Sequence, residues 1–244
     1  QMLEDLADQL EPVLMSLRNT PGFNETEGFK IYTEKENLKS GATWSDEEYA
    51  NPSFLYWYCL NKAVQRFPET IEMMNSAAEL KVLEQYRSKA VTNATIVSLG
   101  GGCSYELLAV KAVFKKHFPH VKLRLVSLDY EPLWEKVVEP LGIEFDTIDF
   151  NKPAKELQAQ LDKYNTDFYV MSFVYRTYIK QRHADFVKYL CKSSFGIFIN
   201  DRNTEYLSFG MMTYKLSRDG FLTLISDQFE GYPYVEALND NRNN

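Results

Sequence analysis

The stretch Thr95-Ile96-Val97-Ser98-Leu99-Gly100-Gly101-Gly102-Cys103-Ser104 sets an apolar, β-branched run against three consecutive glycines, and an amphipathic segment opens near Tyr105. It reads as a buried strand, a bend where backbone can approach a ligand closely, and a helix whose first unpaired N–H groups face that bend. Downstream, the rhythm repeats. Short β-rich runs over Thr95–Leu99, Lys122–Leu128, Ile143–Ile148, Asp167–Phe173, Phe195–Asn200 and Phe221–Ser226 alternate with amphipathic segments. That alternation predicts an α/β doubly wound parallel sheet, with a seventh strand at Tyr234–Leu238. Between strands four and five, Ile179–Cys191 places Phe186, Val187, Leu190 and Cys191 on one helical side.

Upstream the pattern is helical. From Met2 to Leu17, Leu3, Leu6, Leu10, Val13, Leu14 and Leu17 recur at intervals of three and four, one face of a helix. Residues 19–53 mix glycine, proline and charge and predict a loop. Ser53–Tyr86 predicts helix interrupted near Pro68, and its Phe54–Leu60 portion is the most aromatic stretch of the chain. The expected division is a helical N-terminal extension over 1–90 and a sheet-bearing domain over 91–244, since a domain takes about 100–200 residues.

Composition sets the class. The 244 residues are 45% apolar, 14% aromatic and 25% charged, which excludes a disordered or low-complexity chain. Eleven acids against four bases in residues 1–50 carry the entire net charge of -7, leaving 23 of each sign in the remainder. The acidic N-terminal region fits a basic partner protein, and the locally basic 151–200 leaves room for RNA. Cys59, Cys103 and Cys191 are dispersed and odd in number, so neither a disulfide framework nor a zinc site is expected, and a reducing, intracellular compartment is. No run of 18 apolar residues and no basic-then-apolar leader appears, so no membrane association is expected; Gln1 in place of Met leaves open a trimmed chain. His117, His120 and His183 are too dispersed for a metal triad.

Ligands of a doubly wound sheet bind outside the carboxyl ends of its strands, where the strand order reverses. Strand one ends in Gly100, Gly101 and Gly102. Strand two ends at Asp129, whose two acceptor oxygens suit a ribose diol, and Asp149 near the end of strand three suits an adenine amino group. A dinucleotide fingerprint needs glycine where Tyr105 stands, and no Gly-Lys-Ser/Thr supplies a phosphate loop.

This combination resembles the class I S-adenosylmethionine-dependent methyltransferases over Thr95 to Leu238. Val97 to Ser104 is similar to the family's first motif, Asp129 to the acid ending its second strand, and Leu216-Ser217-Arg218-Asp219-Gly220-Phe221 to its approach to strand six. The resemblance implies the seven-stranded methyltransferase-type sheet and a cofactor, S-adenosylmethionine, held by Ser98, Gly100, Gly101, Gly102, Asp129, Asp149 and Ser172. Ser98 stands where the family has an acid that orients the methionine moiety, and Ser104 where a further glycine is frequent.

Strand four carries no Asn/Asp-Pro-Pro-aromatic motif, and neither a ribose-directed Lys-Asp-Lys-Glu set nor a Pro-Cys nucleophile is recognisable. The acceptor is unidentified, RNA or protein ahead of a small molecule. Asp201 and Tyr175 are the catalytic candidates, with Arg176, Tyr178, Asn200 and Arg202 near them. Displacement at a sulfonium draws mainly on proximity and alignment, so a dedicated base is not obligatory. Tyr175 and Tyr178 also read as packing under the N-terminal helices, Tyr56 to Tyr58 as a buried run or as a lid, and Cys103 as a small packing residue. The alternative is a catalytically inactive scaffold or regulatory subunit of the same fold, with or without the cofactor.

Overall fold

Strand β1 (Asn93–Leu99) is the axis of the sheet because its last four residues, Ile96, Val97, Ser98 and Leu99, are buried on both faces. The structure, a computed structural model, describes residues 2–36, 44–79, 82–179 and 184–200, with the backbone of three short strands at 206–209, 212–215 and 222–224. On one side β1 pairs in parallel with β2 (Lys122–Asp129), Val97 opposite Val126, and β2 pairs with β3 (Glu144–Thr147). On the other side β1 pairs with β4 (Phe168–Ser172), Val97 opposite Tyr169, and β4 with β5 (Gly196–Asn200). The order β3-β2-β1-β4-β5 reverses direction between β1 and β4, and the carboxyl edge there is the expected ligand crevice.

Successive residues along a strand point to opposite faces, and each face has its own core. Ile96, Leu125, Phe168, Val170 and Phe198 join one core with α1 (Met2–Arg18), α4 (Pro52–Glu79), α5 (Tyr105–His117) and α6 (Glu135–Val138). Val97, Leu99, Val126, Leu128, Tyr169 and Met171 join the other with α7 (Ala154–Leu161) and α8 (Ala184–Ser193). The sheet is thus covered on both faces. In α1, Leu6, Leu10, Val13 and Leu17 are buried as their spacing predicts, and in α8 so are Phe186, Val187, Leu190 and Cys191.

Several expectations are corrected. Residues 19–53 are not all loop: they contain α2 (Glu25–Glu36) and α3 (Asp46–Tyr49). Asn24 Oδ1 accepts the Glu27 N–H at 3.1 Å, and Ser45 with Glu48 forms a reciprocal capping box. Gly28 lies inside α2 because the helix runs against α4, where a Cβ would fall 2.2 Å from the Ser53 carbonyl oxygen. Pro68 does not interrupt α4. The carbonyl that it leaves without an N–H belongs to Val64, which is 70% exposed, so water can serve it.

Among the described residues the sheet has five parallel strands and one short antiparallel strand, β8 (Leu222–Leu224), beside β5, where seven strands were expected. A separate hairpin, β6 (Tyr206–Phe209) and β7 (Met212–Lys215), precedes β8 where no strand was expected. The candidate strand Tyr234–Leu238 lies outside the described residues, as does His183. Of the expected helix Ile179–Cys191, the described part is α8 from Ala184; a π-helical turn covers Tyr175–Ile179, and residues 180–183 lie outside the described residues.

Candidate functional site

The glycine bend requires its glycines, but for packing. Gly100 (φ +67°) and Gly102 (φ +50°) occupy the left-handed region that side chains resist. The N–H groups of Gly100 and Gly101 both donate to the Leu128 carbonyl, at 2.7 and 3.1 Å, and that of Gly102 donates to Asp129 Oδ2 at 2.8 Å. The bend is therefore laced to the end of β2. A Cβ on Gly100 would fall 2.4 Å from Val174 Cγ2, and one on Gly101 2.5 Å from Ser127 Oγ. Trp134 lies across Gly102, and through Trp134 the bend meets the aromatic group of Tyr49 and Tyr58.

Beneath the bend is a buried polar cluster. Ser98 Oγ donates to Glu106 Oε1, and Ser104 Oγ donates to Ser127 Oγ at 2.6 Å. Glu106, in the first turn of α5, is 3% exposed, and burial pushes its carboxyl up to about 7 against the hydrogen bond from Ser98. A buried acid thus stands against Ser98, carried by the helix that follows the bend.

Asp129 ends β2, and Asp149 lies just after β3. A cleft of about 520 Å³ opens between Tyr130, Glu131 and Pro132 after β2 and Thr147, Ile148 and Asp149 after β3, lined also by Asp46 and Lys152. Asp149 Oδ1 accepts both N–H groups of Asn151, of the backbone at 2.9 Å and of the side chain at 3.0 Å, which fixes the turn. Asp129 does not line this cleft. Its Oδ2 faces Gly102 and its Oδ1 accepts the Glu131 N–H at 3.2 Å, and burial raises its carboxyl to about 6. With the Tyr130 N–H also bonded to the carboxylate, three backbone donors occupy its two oxygens.

Across the switch point, α4 lies over the ends of β4 and β5. The Arg66 guanidinium sits 3.0 Å from the centroid of the Phe173 ring, and Phe173, at φ +61°, donates its N–H to the Asn200 carbonyl at 2.7 Å. Asn200 Nδ2 donates to Glu69 at 2.8 Å.

The structure therefore brings Ser98, Gly100, Gly101, Gly102 and Asp129 into one bonded unit and places Asp149 on the adjoining cleft. Ser172 ends β4 on the other side of β1. Tyr175 is fully buried in the core with α7 and α8, away from the N-terminal helices under which it was expected to pack. Tyr178 is 43% exposed. Asp201 and Arg202 lie outside the described residues. Phe54, Leu55, Tyr56 and Cys59 are buried, as is Cys103, whose thiol burial pushes well up. Two residues escaped the sequence reading, Glu106 and Arg66. Glu106 opens the apolar run Tyr105–Val110, and Arg66 stands among Asn61, Lys62, Gln65 and Glu69, a setting easily taken for a solvated face.

No protein-family model matches the sequence, and no curated protein does either. The chain is similar to a Listeria monocytogenes structure assigned to the class I S-adenosylmethionine-dependent methyltransferases. Identity is 13%, coverage is 81% of this chain and 72% of that one, and the TM-score is 0.42. It is similar to a Pyrococcus horikoshii structure assigned as an RNA methyltransferase, at 11% identity over 71% and 72% of the two chains, TM-score 0.32. It is also similar to the plantazolicin methyltransferase BpumL in complex with a monoazolic desmethylPZN analog and SAH, at 11% identity over 81% and 62%, TM-score 0.37. At these scores the likenesses carry no argument about chemistry. Among the described residues no helix is long and apolar enough to cross a membrane.

Proposed function

We propose that the chain binds S-adenosylmethionine along the carboxyl edge of β1, β2 and β3 and transfers its methyl group to an acceptor, RNA or protein, inside the cell. The observation that supports this reading most is the nucleoside-sized cleft between the turns after β2 and β3, at a crevice where two buried or turn-fixed carboxylates, Asp129 and Asp149, end adjacent segments. The nucleoside end of the cofactor fits these residues. Its amino-acid end fits the present arrangement less well, because the bend's N–H groups are spent on Leu128 and Asp129 and Val174 covers Gly100.

That closure favours the second reading, a scaffold that binds a nucleoside without turnover, with the acidic N-terminal region meeting a basic partner. Calorimetry separates the readings. Micromolar binding of S-adenosylmethionine and its demethylated product is expected, and Asp129→Ala is expected to abolish it. Methyl transfer from labelled cofactor into a cell extract then marks the enzyme, and binding without transfer marks the scaffold. The absence of heat with either nucleoside removes the methyl-donor reading and leaves only a scaffold without the cofactor.

A further inference from the structure

A guanidinium taken out of water is costly unless an anion compensates it. Arg66 is 9% exposed, yet among the described residues it makes no ion pair, and its Nη1 has no hydrogen-bond partner. Burial lowers its proton affinity, with Tyr58, Glu69, Cys103 and Glu106 the nearest groups working against that. The carboxylates nearby are committed elsewhere, Glu69 to Asn200 and Glu106 to Ser98. One turn further along the same face of α4, the Oγ1 of Thr70 is buried and has no partner among the described residues. The same holds for Ser172 Oγ at the end of β4 and for Asn200 Oδ1, its register neighbour at the end of β5. Phe173, with Arg66 on its ring and its N–H on Asn200, ties the helix to both strands. The unserved atoms therefore stand on neighbouring elements, α4 and the ends of β4 and β5: one cationic donor, two hydroxyls and one acceptor.

We infer that Arg66, Thr70, Ser172 and Asn200 form a binding site for a compact oxyanion that carries its own hydrogen-bond donor, a protonated phosphate or an amino carboxylate, belonging to a molecule other than the nucleoside ligand. Arg66 Nη1 donates to the oxyanion, the Thr70 and Ser172 hydroxyls add donors, and Asn200 Oδ1 accepts the ligand's O–H or N–H. Arginine suits this role because its planar fork matches the geometry of carboxylate and phosphate. The site is distinct from the cleft beside Asp149 because β1 and its bend lie between them, and Val174 packed on Gly100 closes the path across the bend. If the methyl-donor reading holds, this is the pocket that selects an anionic acceptor; the anion site itself does not depend on that reading.

Titration of the full chain with inorganic phosphate and with glycine tests it. Saturable binding of at least one is expected, lost in Arg66→Met and about tenfold weaker in Ser172→Ala. The expected affinity of Arg66→Met for S-adenosylmethionine is that of the parent chain. Should Arg66→Met fail to fold, Ser172→Ala and Thr70→Val decide by the same weakening. No saturable binding of either probe, or binding unchanged in all three variants, overturns the site. Loss of S-adenosylmethionine affinity in Arg66→Met or Ser172→Ala assigns the atoms to the nucleoside ligand and overturns the second molecule. Phosphate binding by a chain that does not bind S-adenosylmethionine upholds the site and removes the methyl-donor reading.

Discussion

Gly100→Ala is expected to destabilise the fold by about 3 kcal/mol, the sum of forcing a side chain into the left-handed region and overpacking a filled space. Both causes are present at this position: φ is +67°, and the new methyl would fall 2.4 Å from Val174 Cγ2 and 2.9 Å from Cγ1. Val174 cannot yield easily, being 5% exposed in the core with α7 and α8. For a chain of this length the loss corresponds to a fall in Tm of about 8 °C. Gly22→Ala is the control. Its φ is +82° but nothing lies within 4 Å of the added Cβ, so only the backbone cost, about 1 kcal/mol, is expected. Adding Val174→Ala to Gly100→Ala separates the two causes, since trimming the valine relieves the overlap and leaves the backbone cost. Equal destabilisation by Gly100→Ala and Gly22→Ala in thermal melts would show that the bend is not packed against Val174.

The same bend shows what the sequence could and could not disclose. The parallel core was readable because buried parallel strands are apolar along their whole length, and β1, β2, β4 and β5 each lie within two residues of their expected bounds. The edge was less readable. β3 and β8 are short, and β8 runs antiparallel, a choice that depends on the connection preceding it and not on its own residues. In 19–53, glycine and charge concealed two helices whose signals are local caps, Asn24 and Ser45, and whose glycine serves a helix crossing. At the site, residue types were legible but their partners were not. Asp129 and the glycines were expected to grip a ligand from two sides, and they bond to each other. Glu106 and Arg66 stand on helices whose burial is set by long-range packing, so no spacing within the sequence marks them as buried charges.

Glu106 gives the second large effect. Its carboxyl moves from its ordinary 4.5 to about 7 because burial penalises the charged form. Below pH 4.5 the group is neutral whether the chain is folded or not, and it imposes no penalty. As pH rises from 4.5 to 7 the unfolded chain releases this proton while the folded chain keeps it, so stability falls. Above pH 7 the loss is complete, at about 1.4 kcal/mol per tenfold change in proton affinity, or about 3 kcal/mol in all. Asp129, raised to about 6 by its own burial, acts in the same direction, and its charge adds to the rise at Glu106. Glu106→Gln keeps an oxygen able to accept the Ser98 hydroxyl and cannot ionise. Denaturation midpoints between pH 5 and 8 are therefore expected to fall less steeply in this variant, which gains about 3 kcal/mol over the parent at pH 8 relative to pH 5. Parallel pH profiles of stability for the two proteins would remove that expectation.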